Sequence, residues 1–165
     1  MRSRARYVLI VMAGLSFGAC RQADGPVPAP NANVQEELVD VTRGLENVAS
    51  GRDPQAPKDL ADDLRKYASG PDAEPAVDQL SQRTASVLSG VNLTEQDAQR
   101  LAHTLWLSVA AHDLSERQIE TLQNDMQALL ISVGVAEENA QQVAAQVGAV
   151  QGAVTDRPRR WYELF

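Results

Sequence analysis

The chain has 165 residues, with 15 Lys and Arg against 22 Asp and Glu, a net charge of −7, one cysteine and two histidines. That acidity argues against a nucleic-acid partner, whose phosphates must be neutralised by Lys and Arg. A lone cysteine excludes an internal disulfide framework and a thiolate metal cluster, so a hydrophobic core has to hold the fold.

Arg2, Arg4 and Arg6 precede an apolar run from Tyr7 to Ala19 that stops at Cys20. A basic start, a short apolar stretch and small residues at its end read as an export signal. The run falls short of the roughly 20 apolar residues that a membrane-spanning helix needs. Phe17-Gly18-Ala19-Cys20 resembles a bacterial lipobox, with small Gly18 and Ala19 just before the cysteine. That resemblance implies removal of residues 1–19, lipidation of Cys20 and a lipoprotein held at a membrane of the cell envelope, facing the periplasm. Arg21, where a retention signal would place Asp, implies the outer membrane. An ordinary exported protein cut after Ala19, with Cys20 a chance thiol, is the alternative. Loss of the three leader arginines takes the net charge to −10.

Residues 20–33 form the expected tether. Pro26, Pro28 and Pro30 alternate with small residues, a composition that favours an extended, polyproline-like course of about 3.1 Å per residue. Helical spacing starts at Val34. Val34, Leu38, Val41, Leu45 and Val48 make one apolar stripe, with Asn33 and Glu36 as expected cap and partner and Ser50-Gly51 as the stop. A second helix, with Pro54 and Pro57 near its start, carries Leu60, Leu64, Tyr67 and Ala68 on one face and ends at Ser69-Gly70-Pro71. A third carries Val77, Leu80, Val87 and Leu88 and closes at Ser89-Gly90.

The second half repeats itself. Leu93-Thr94-Glu95, Leu114-Ser115-Glu116 and Val135-Ala136-Glu137 recur every 21 residues, and apolar positions follow in register: Ala98, Ile119, Ala140; Leu101, Leu122, Val143; Leu105, Met126, Val147. Each unit holds one helix of four to five turns, at about 3.6 residues per turn, and a short connection. Short connections make successive helices antiparallel. The predicted class is all-α, a small antiparallel bundle of about six helices, with a helical domain over 34–155 and a tail over 156–165.

The starts of two units, Leu93-Thr94-Glu95-Gln96-Asp97 and Leu114-Ser115-Glu116-Arg117-Gln118, resemble the Leu-Thr-x-x-Gln motif of Spy-like periplasmic chaperones. The resemblance implies a stress-type chaperone for unfolded clients, the alternative function. Helix capping explains the same spacing: Thr94 and Ser115 serve as caps, and Asp97 and Gln118 reach back three residues later.

Candidate chemistry is sparse. His103 and His112, nine residues apart, fall on opposite sides if they share one helix, so they do not jointly ligate an ion. Asp59, Asp62 and Asp63 are expected near the start of the second helix, and Glu137 and Glu138 at the start of the sixth, where the helix dipole favours negative charge. No phosphate-binding loop, Gly-x-Ser-x-Gly elbow or His-Glu-x-x-His helix is present, so the sequence points to no enzyme, cofactor or metal. Gly148 and Gly152 weaken the sixth helix and imply close packing within the domain, or else a surface for another chain.

The tail, Arg157-Pro158-Arg159-Arg160-Trp161-Tyr162-Glu163-Leu164-Phe165, is basic and aromatic after an acidic domain. Arg, Trp and Tyr are favoured binding anchors and also suit a membrane interface. Arg159, Arg160, Trp161, Tyr162 and Phe165 are therefore the candidate partner-binding residues, unless the tail folds back on the bundle. The expected protein is a membrane-anchored envelope lipoprotein whose helical domain scaffolds or binds an envelope protein.

Overall fold

The computed structural model describes residues 32–68, 73–111 and 114–155, giving only the backbone of 32–37 and 155. Cys20, the leader, nearly all of the tether and the tail with Arg159, Arg160, Trp161, Tyr162 and Phe165 lie outside the described residues. Six helices make up the described fold: α1 (Ala32–Ser50), α2 (Ala56–Arg65), α3 (Glu74–Leu88), α4 (Glu95–Ala110), α5 (Glu116–Ser132) and α6 (Glu137–Thr155). The protein is all-α, and the last three helices start 21 residues apart as the repeat predicts.

Their apolar stripes meet in one core. Val41, Leu45, Leu60, Leu64, Val77, Leu80, Leu88, Leu101, Leu105, Met126, Val143 and Val147 are all fully buried. At roughly 1.5–3 kcal/mol per buried large aliphatic side chain, this cluster drives folding against the ordering of the chain. The helices form two antiparallel triplets, α1 to α3 and α4 to α6, with α1 lying on α4 and α3 on α6. Helix α4 also touches α2 and α5, which explains why eight of its sixteen residues are buried.

Cross-links fix the direction of four of the passes, α1, α3, α4 and α6. The Gly90 N–H donates to the Ala49 carbonyl at 3.0 Å, so α1 and α3 end together. Positive φ angles at Gly51 (62°) and Gly90 (79°) turn the chain there, a conformation that glycine adopts without a Cβ clash. Gln79 bonds Gln146, and Arg83 bonds Gln142, so α3 and α6 run antiparallel. The Gln151 amide reaches the carbonyls of Ser108 and Ala111, which puts the end of α6 beside the end of α4. One pole of the bundle thus holds the end of α1, the end of α3 and the start of α4. The other holds the start of α1 and the end of α6.

Three boundaries differ from expectation. Helix α1 begins at Ala32, so Asn33 is inside it and is not its cap; Pro30 is the last residue upstream that bars a helical N–H bond. Helix α2 stops at Arg65, and Tyr67 and Ala68 follow in tighter turns, their N–H groups donating to Leu64 and Arg65 carbonyls three residues back. Helix α4 ends at Ala110 with Ala111 extended, so His103 and His112 do not share it, and His112 lies outside the described residues. Ser69-Gly70-Pro71 lies outside them as well.

Candidate functional site

The chaperone-like segments are helix caps. The Thr94 hydroxyl accepts from the Asp97 N–H at 3.2 Å and meets the Asp97 carboxylate at 2.5 Å. At Ser115 the box is reciprocal: its hydroxyl accepts from the Gln118 N–H, and the Gln118 side chain accepts from the Ser115 N–H at 3.0 Å. Leu93, Leu114 and Val135, each just ahead of a helix, pack on the core.

Two of the three acids of α2 are engaged in ion pairs. Asp59 sits in the first turn, while Asp62 and Asp63 lie beyond it and serve neighbouring cations. Lys58 bonds Asp62 at 3.0 Å, Lys66 bonds Asp63 at 2.6 Å, and Arg65 contacts both Asp62 and, across to α3, Asp78. The hydrogen bond from Lys58 is the largest influence holding the Asp62 carboxyl below its ordinary pKa. Glu137 and Glu138 occupy the first turn of α6, as the dipole argument expects.

The two glycines of α6 separate. Gly148 lies under the Gln123 side chain of α5, whose amide would sit only 2.3 Å from an added Cβ. Gly152 has open space beside it. The contact at Gly148 is with the far end of a flexible side chain, which can shift, so close packing of the helices requires glycine at neither position.

One cleft gathers polar side chains from two helices. It has a volume of about 480 Å³ and lies between α4, which contributes Arg100, His103 and Thr104, and α5, which contributes Asp125, Ala128, Leu129 and Ser132. The spacings i, i+3, i+4 on α4 and i, i+3, i+4, i+7 on α5 put each set on one face. The Nε2 atom of His103 is buried and has no hydrogen-bond partner among the described residues. Burial pushes the His103 pKa below its ordinary value, favouring the neutral ring. The Thr104 hydroxyl donates to the Arg100 carbonyl at 3.0 Å and the Ser132 hydroxyl to the Leu129 carbonyl at 2.7 Å, so each presents lone pairs to the cleft.

No known protein family, curated protein or solved structure matches the chain. Its site has to be read from the residues themselves. Of the sequence candidates, His103 alone falls in the cleft; Arg100 and Asp125 were not singled out because each reads as an ordinary charge on a solvent-facing helix surface. No group of three or more His, Cys, Asp or Glu positioned to hold a metal ion occurs among the described residues.

Proposed function

We propose that the protein is an envelope lipoprotein, held to a membrane through Cys20, whose helical bundle is a binding or scaffolding module for an envelope partner. The observation that carries this reading is the polarity of the bundle: the start of α1, which follows the tether, and the end of α6, which precedes the basic-aromatic tail, share one pole. A tether from Cys20 and a tail carrying Arg159, Arg160, Trp161, Tyr162 and Phe165 would then join the bundle at the same pole. Cationic and aromatic side chains are suited to a membrane interface. No helix among the described residues is long and apolar enough to cross a membrane.

The described surface favours this reading over a chaperone for unfolded clients. Val39 and Ile131 are the large hydrophobic residues exposed there, and they lie singly on separate helices. Membrane fractionation of the Cys20→Ser variant tests the anchor: the wild type should sediment with membranes and the variant should be released. A variant that stays membrane-bound and is processed as before would overturn the reading. Photo-crosslinking from position 161 in intact cells should then give a discrete adduct that disappears when residues 156–165 are removed.

A further inference from the structure

The cleft between α4 and α5 is a built feature that the anchored reading leaves unused. Its volume lies within the roughly 300–1,000 Å³ of small-molecule sites. Its charges are opposed and do not meet: Arg100 on α4 and Asp125 on α5 line the same space, yet neither has an ion-pair partner among the described residues. A ligand that fills the gap has to bring an acceptor to one wall and a donor to the other.

The two walls differ in what they offer. On α4, the Arg100 guanidinium donates, while the His103 ring one turn later forms part of the wall with its Nε2 atom buried behind it. On α5, the Asp125 carboxylate and the free lone pairs of Ser132 accept, while Ala128 and Leu129 give an apolar strip that fits a short aliphatic side chain. A plain anion would leave Asp125 unanswered, and a plain cation would leave Arg100 unanswered.

We propose that this cleft binds a short zwitterionic peptide, its carboxylate on Arg100 and its ammonium on Asp125. The paired carboxylate contact is charge-assisted and planar at Arg100, which is the geometry in which guanidinium outperforms a point charge. Membership of the bundle, not the lipid anchor, makes the site, so Cys20→Ser leaves it intact and the two readings fail separately.

The test is calorimetric titration of the full chain, solubilised in detergent, with L-alanyl-L-alanine and with its N-acetylated and C-amidated forms. The free dipeptide should bind, and blocking either end should weaken binding by at least about tenfold, as loss of one charge-assisted contact implies. Arg100→Met should weaken the free dipeptide to a similar degree yet leave the amidated form unaffected. Asp125→Asn should do the converse with the acetylated form. Both positions are exposed on helix surfaces, so circular dichroism should show unchanged folding. No heat up to about 10 mM dipeptide, or equal affinity for the blocked and free forms, would overturn the proposal.

Discussion

The two halves of the bundle start their helices by different chemistry. In α1 to α3, the starts of α2 and α3 have no side-chain cap bond; Pro57 and Pro75 sit at their second positions, where a missing N–H is harmless. In α4 to α6, Thr94 and Ser115 supply hydroxyl caps. Stabilisation between helices differs too. Arg65 bridges α2 to α3 through Asp78 at the surface, whereas Gln151 joins α6 to α4 through a buried amide. Internal repetition in the second half thus extends to how α4 and α5 begin, though not α6, where Ala136 stands at the position of Thr94 and Ser115, and to which residues face inward; polar cross-links are added where the repeat leaves carbonyls open.

The contrast can be tested from its largest effect down. Leu101→Ala, at the centre of the helix that meets both halves, should cost about 2–5 kcal/mol by denaturant unfolding, and both halves should unfold together. Separate transitions would show that the triplets are independent units. Gln151→Leu restores the apolar residue type seen at Val109 and Leu130 but abandons the Ser108 and Ala111 carbonyls; it should destabilise by roughly 1–3 kcal/mol. A gain in stability would show the amide bonds to be incidental. Thr94→Ala and Ser115→Ala should each cost about 1 kcal/mol, while Gln55→Ala, at a start without a side-chain cap, should change little.

The smallest effect is a pH dependence. Burial lowers the His103 pKa in the folded protein, so the unfolded chain takes up its proton first as pH falls. The stability tied to the neutral ring is complete above the ordinary histidine value of about 6.5 and drains away as pH falls through the folded value. Midpoints measured from pH 7 down to about pH 5 should decline, and His103→Gln should flatten that decline.

Much of this architecture was legible in the chain. The stripes through Val41, Leu45 and Val48, through Leu60 and Leu64, and through Leu101 and Leu105 name buried residues because a 3.6-residue period allows one face inward. Gln151 was missed although a signal existed: it stands 21 residues after Leu130, which stands 21 after Val109, so register alone assigns it to the core. A polar side chain is read as exposed until the carbonyls it satisfies, on another helix, are in view. Arg100 and Asp125 escaped for the related reason that 25 residues separate them and only the α4–α5 pairing brings them to one cleft.

An even number of passes has a topological consequence. Because the chain crosses the bundle six times, it leaves on the side where it arrived. One more crossing, or one fewer, would leave the last helix ending at the pole opposite the start of α1. Grafting a seventh helix after residue 155 would leave the core untouched and still carry the chain to the opposite pole.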